Sequence, residues 1–256
     1  MTGPAALPLL LLVPLGALAG GFVSGLAGFG TGLVALGIWL HAVEPAPAAS
    51  LVVVCSVVAQ AQTIRTVRHA LEARRVAPFV LAGLAGVPVG TALLARLDPA
   101  AFRLGVGLLL LGFSGFMLAW GAGRRPVAWG GRAADAGVGF LGGALGGFAG
   151  LSGPLPIVWA TLRAWGRDAR RGLFQAFNLC VLLAALASHA AAGLLTAELA
   201  RLVLLALPGT LAGAWLGAWT YRRLSDRRFD QLVLGLLALS GLLLVWEGLA
   251  ATARRG

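Results

Sequence analysis

The sequence contains no lysine, and its 20 basic side chains are all arginine. Only 11% of its 256 residues are charged, against roughly 25% in an average soluble domain. That leaves too little charge to cover a water-facing surface of this size. Cysteine is scarce too. Cys55 and Cys180 each stand alone in an apolar block, which excludes a disulfide scaffold and reads as two small buried hydrophobes. Acidic groups are missing where a cation pump would keep one. Glu44, Glu72, Asp98, Asp135, Asp168, Glu198, Asp226 and Asp230 lie in connections or segment ends, and Glu247 lies in the last turn of the final apolar segment. Proton and cation carriers normally hold a carboxylate inside the membrane, so cation transport is disfavoured and an anionic substrate gains weight.

What the chain does have is apolar length. Hydrophobic residues make up 59% of it, and its mean hydropathy is +0.90. They fall in long blocks rather than helical stripes, the pattern of a polytopic membrane protein and not of a disordered chain. Apolar segments run at about 8–27, 30–43, 47–66, 76–95, 102–121, 134–151, 154–164, 172–195, 199–220 and 230–250. Crossing a hydrocarbon core takes roughly 20 helical residues. The segments 30–43 and 154–164 are too short; at 1.5 Å per residue the second reaches only about 16 Å. Each follows a glycine-dense stretch, so each is expected to fold back on its predecessor as a helical hairpin with its turn inside the membrane. The N-terminal run resembles a signal peptide but lacks a positive start, and it reads as the first membrane segment.

The net charge of +11 would suggest nucleic acid in a soluble protein; here it reads as topology, and no nucleic-acid partner is expected. The stretches 65–75, 122–132, 163–171 and 222–228 hold fifteen of the twenty arginines. Cytoplasmic loops carry the arginine excess, so these connections are expected in the cytoplasm, with both termini outside.

The halves repeat. Gly20, Gly21, Gly25 and Gly28 recur at an offset of 122 as Gly142, Gly143, Gly147 and Gly150. Further on the offset is 127: Gly86 and Gly90 match Gly213 and Gly217, Arg96-Leu97 match Arg223-Leu224, and Phe102 matches Phe229. One hairpin plus three full spans per half is an odd number of reversals, so the second half should insert upside down. The fold class expected is therefore an all-α polytopic membrane protein, one integral membrane domain over 1–256. It would hold two inverted-topology repeats (about 8–121 and 134–250), each a glycine-rich hairpin plus three transmembrane helices. Such repeats place substrate sites at broken helices near the midplane.

The hairpin turns read Gly28-Phe29-Gly30-Thr31-Gly32 and Gly150-Leu151-Ser152-Gly153-Pro154. Glycine permits the turn, and Pro154 suits the first position of a helix. Thr31 and Ser152 are expected at the N-cap positions. Freed N–H groups and the positive end of a short helix attract anions. Gly30, Thr31, Gly32, Ser152, Gly153 and Pro154 are therefore candidate substrate contacts, while glycines 20–28 and 142–150 suit helix packing. Polar residues within the long spans extend the set. Ser56, Gln60 and Thr63 lie at i, i+4 and i+7, and Gln175, Asn178 and His189 share one face of a later segment, Asn178 being Ser56 plus 122. Ser56, Gln60, Gln175 and Asn178 are taken as side walls of the path, and His189 as a hydrogen-bonded structural group.

The glycine-rich turn in each half, the duplication and the size resemble the TauE/SafE (sulfite exporter) family of membrane transporters, over about residues 8–250. The family motif is a G-x-G-G-G-like turn; Gly28–Gly32 departs from it by one threonine, and Gly150–Pro154 by a serine and a proline, as in members with a Gly-Pro pair. The resemblance implies a multi-pass transporter of the cell inner (plasma) membrane for sulfite, an organosulfonate or a related small anion. No metal, cofactor or enzymatic activity is expected; the partners are the small anionic substrate and the lipid bilayer, and a homo-oligomer is left open. An anion channel would share the same site. A rival from another class is a rhomboid-like intramembrane serine protease, with Gly150-Leu151-Ser152-Gly153 as its motif and His189 as base. Against it, Ser152 stands in the place of Gly30 in the repeat.

Overall fold

A computed structural model describes residues 6–63, 73–119, 127, 129–165, 167–220, 238, 241–242, 244–246 and 248–250. Among the described residues all regular structure is α-helical. The helices are α1 (Ala6–Ala27), α2 (Thr31–Trp39), α3 (Pro45–Thr63), α4 (Ala73–Leu94), α5 (Pro99–Ala119), α6 (Gly131–Ala149), α7 (Pro154–Leu162), α8 (Arg167–Ala191) and α9 (Ala197–Thr220). The scattered positions described between 238 and 250 are also helical. Most of the last expected segment (230–250) lies outside the described residues, as do positions 65–72, 122–126, 128, 166 and 222–228 of the arginine-rich connections.

Among the described residues six helices are long and apolar enough to cross a membrane: α1, α3, α4, α5, α8 and α9. Large apolar side chains stand exposed along them, among them Leu7, Leu81, Leu204 and Trp215. In a chain with this little charge, such surface is made for lipid. The span expected at 134–151 is not among the six. Its helix, α6, carries Arg132 and Asp135 in its first turns and glycine where the others carry leucine, and Gly139, Gly143 and Gly147 are spent on contact with α4.

The two short helices fold back as the sequence leads one to expect. A side chain at Gly20 would strike Thr31 and Ala35, and one at Gly16 would strike the Trp39 ring, so rising numbers in α2 meet falling numbers in α1. The indole N–H of Trp39 closes the pair by donating to the Val13 carbonyl at 3.0 Å. In the second hairpin, Gly142 and Gly146 lie against Ser152, and the Trp159 indole N–H donates to Asp135 Oδ1 at 2.7 Å. Val13 and Asp135 are again 122 apart. Each short helix has nine residues, about 13–14 Å of rise, too little to cross.

Glycine faces join the halves. α1 packs along α9 and α4 packs along α6, the two most extensive helix pairs. A Cβ on Gly86 or Gly90 would overlap the carbonyls of Phe140 or Ala144; a Cβ on Gly213 or Gly217 would overlap those of Leu18 or Phe22. Adding 127 to the first two glycines gives the second two, and subtracting 122 from their partners gives Leu18 and Phe22. The reciprocal contacts obey the same arithmetic: Gly143 meets Gly83 and Gly147 meets Val87, while Gly21 meets Thr210 and Gly25 meets Ala214. The duplication read from glycine spacing is thus a duplication of contacts.

Candidate substrate site

The two turns meet. A side chain at Gly32 would touch Leu151 and the Gly150 carbonyl, and one at Gly153 would touch Phe29. Between them is a cavity lined by Phe29, Gly30, Thr31, Gly32 and Leu33 from the first hairpin and by Gly150, Leu151, Ser152, Gly153 and Pro154 from the second. Ser24 on α1, Ser56 and Gln60 on α3, and Asn178 and Leu182 on α8 complete the wall. The cavity gives ≈ 20 Å³ to the centre of a water-sized sphere, above the roughly 10–15 Å³ that one water needs.

Backbone conformation opens this space. Gly30 has φ 103 and Gly150 φ 68, left-handed values that a side chain resists, so each chain can reverse within a few residues and begin a new helix at the cavity. The expected N-caps are corrected here. Gly30 and Gly153 hold the N-cap positions of α2 and α7, and neither helix has a side-chain cap. Thr31 is the first residue of α2, and Ser152 lies one residue before the cap. The reason is local: a left-handed glycine makes the first junction, and Pro154, with its preset φ, takes the first helical position of the second. The opening N–H groups of α2 therefore stay without intrahelical partners beside the cavity.

The polar side chains divide into paired and unpaired. Ser152 donates to Asn178 Oδ1 at 2.8 Å, and Gln60 Nε2 donates to the Gly28 carbonyl at 2.8 Å. Thr31 and Ser24 are buried, with hydroxyls that have no partner. Helical Thr161 and Thr210 answer the same problem by bonding to their own helix at Ile157 and Ala206; Ser24 does not. An unmet buried polar group costs about 1–3 kcal/mol, so two at one cavity ask for a ligand. Thr91 and Ser114 are likewise unpaired but lie away from the cavity. No lining side chain carries a charge, so the positive ends of α2 and α7, each roughly +0.5 of a charge by the dipole estimate, act here without competition from an acid.

Of the residues singled out from sequence, Gly30, Thr31, Gly32, Ser56, Gln60, Ser152, Gly153, Pro154 and Asn178 all line this cavity. Gln175 does not. It sits against the first turn, its Nε2 3.5 Å from where a Gly28 side chain would begin, buried, with both amide atoms unpaired. Sequence reasoning missed Ser24, whose signal is faint because a serine in a glycine-rich helix reads as packing. Phe29, Leu33, Leu151 and Leu182 give no polar signal at all. His189 is structural, as expected: its Nδ1 pairs with the Ser50 hydroxyl at 2.9 Å and its Nε2 with the Gly147 carbonyl at 2.7 Å. Both ring nitrogens are therefore spent while Ser152 bonds Asn178, so the serine–histidine pair a protease would need is not assembled. Thr63 closes α3 at the edge of the described residues.

A sequence model described as Sulfite exporter TauE/SafE matches residues 12–244. Comparison with curated proteins and with solved structures found no match.

Proposed function

The chain belongs to the sulfite exporter TauE/SafE family of membrane transporters, and from that premise we propose that the cavity between its two hairpin turns is the site through which a small sulfur-containing anion crosses the inner membrane. The observation that carries this reading is the convergence of two helix starts and the unpaired Thr31 hydroxyl on one acid-free space. An oxyanion entering it loses water and gains N–H and O–H donors: Thr31, Ser24, the opening amides of α2, and Ser152 once it turns from Asn178. Donors fixed in a low-dielectric site replace hydration without a permanent ion pair, which favours passage over capture. Sulfite and small sulfonates fit this donor set.

The halves are read as inverted repeats. Contacts on glycine faces run in parallel register between α1 and α9 and between α4 and α6, while the arginine-rich connections alternate with the spans. Ser56 and Asn178, equivalent under the repeat, lie in the middle portions of α3 and α8, which supports a site near the midplane. Positions 65–75, 122–132, 163–171 and 222–230 then face the cytoplasm. Cysteines introduced at Thr66 and Gly166, both outside the described residues, should react with an impermeant reagent from the cytoplasmic side alone; labelling from outside would reverse the orientation.

Flux through proteoliposomes tests the function directly, with sulfite, sulfate, thiosulfate and small sulfonates, each with and without a proton gradient. Thr31→Val and Ser152→Ala should each lower flux of the preferred anion roughly tenfold, the scale of one hydrogen bond to a charged group. The double variant should fall short of the product, since both residues face one ligand. Wild-type flux in the double variant would move the path elsewhere, and unitary currents would make the protein a channel.

A further inference from the structure

Each hairpin tip rests on a helix beside the cavity, and the two contacts are equivalent under the repeat. The first tip rests on α8: Phe29 meets Phe174 edge-on at 5.9 Å between ring centroids, and Gly28 lies against Gln175. The second tip rests on α3, where a side chain at Gly150 would strike Val52 and the Val53 backbone. Adding 122 to Val52 and Val53 gives Phe174 and Gln175. Each pair lies one helical turn beyond a cavity residue: Val53 is three residues before Ser56, and Gln175 three before Asn178. Val53 thus lies toward the Pro45 end of α3, and Gln175 toward the arginine-bearing start of α8.

The two contacts differ in chemistry. Val52 and Val53 are fully buried and Leu151 nearly so, a dry aliphatic seal. On the other side Gln175 is 2% exposed and has no partner at either amide atom. A sealing contact has no use for an amide that carries two unmet hydrogen-bonding groups, and the repeat shows that valine can fill the equivalent place. Resting on the site reading above, we infer that the tip contacts are the two gates of the transport cycle, and that Gln175 is the anion's contact at the cytoplasmic gate. It takes up the anion as Phe29 and Phe174 part, one turn from the cavity toward the start of α8. The cytoplasmic route thus has a polar step that the external route lacks, and binding is unequal from the two faces.

The test measures sulfite flux into and out of proteoliposomes of defined orientation. Gln175→Val should raise the half-saturating sulfite concentration roughly tenfold on the cytoplasmic face and leave the external one within about twofold. Gln175→Met, closer in volume to glutamine, should do the same if the valine variant folds poorly. Thr31→Val should raise both. Equal rises on both faces for the Gln175 variants would put this residue in the central site, and no change would make it structural; either overturns the gate while leaving the site intact. An absence of sulfite flux in the wild-type protein would overturn the site reading, and the gate with it.

Discussion

The two halves of this transporter agree where helices touch and disagree where the cavity is lined. Gly86 and Gly90 on α4 and Gly213 and Gly217 on α9 meet equivalent carbonyls on α6 and α1. The hydroxyls at the turns, by contrast, have slipped out of register: Thr31 stands opposite Gly153 in the repeat, and Ser152 opposite Gly30. The hairpin bases differ as well, since Trp39 bonds a backbone carbonyl and Trp159 a carboxyl oxygen. Contacts between backbones are judged on volume alone, so duplicated faces must stay alike. A cavity needs only a sufficient set of donors, and it does not matter which half supplies each one.

The largest effects should come from the shared faces. Gly90→Leu and Gly217→Leu each push a side chain into a carbonyl of the facing helix, Ala144 or Phe22. Overpacking costs roughly 1–3 kcal/mol or more, so both should abolish most folded yield in detergent, and to the same degree. Normal thermal stability in either would break the equivalence. The hairpin bases should separate next. Trp159→Phe leaves the buried Asp135 carboxyl without its donor and should cost about 2 kcal/mol, whereas Trp39→Phe should cost about 1 kcal/mol; thermal unfolding of the two variants gives the order. That second base has further support, because Trp159 also meets Trp129 edge-on and lies under the Arg163 guanidinium at 5.6 Å. The smallest difference lies at the turns. Ser152→Ala orphans Asn178 Oδ1 and should cost about 1 kcal/mol of stability, while Thr31→Val removes a hydroxyl with no partner and should cost less than about 0.5 kcal/mol. A loss of stability in Thr31→Val equal to that in Ser152→Ala would show that Thr31 is held by the protein after all.

Much of the architecture was legible before any coordinates. Apolar blocks marked the six long helices, the block at 134–151 being too rich in glycine and charge to count among them, and the short lengths of 30–43 and 154–164 marked the hairpins. The turns were legible because glycine clustered where a chain of leucine and alanine had no other reason to hold it. Ser56, Gln60 and Asn178 stood out because a polar side chain inside a span must face protein or a cavity. Where the reading slipped, the cause was a choice between neighbours. Thr31 and Ser152 have the residue types of an N-cap, yet Gly30 took that position with a backbone angle closed to them, and a proline fixed the other helix start. Gln175 was placed beside Asn178 on the helix face, one turn from the cavity that Asn178 lines.

Three readings belong to the sequence: that this chain lies in a membrane, and the expectations that it is built twice from one plan and that its chemistry suits an anion. These follow from counts and spacings: too few charges for water, glycines at a constant offset, and carboxylates confined to segment ends. Tertiary structure alone decided that the two turns share one cavity and that Ser24 joins them. It also decided that Ser152 is paired while Thr31 is not, and that the contacts under the two hairpin tips differ in polarity. Such facts depend on which surfaces come within a few ångströms of each other across 122 residues of chain. A hydrogen bond, or the lack of one, is set at that range by packing and leaves no trace in local periodicity.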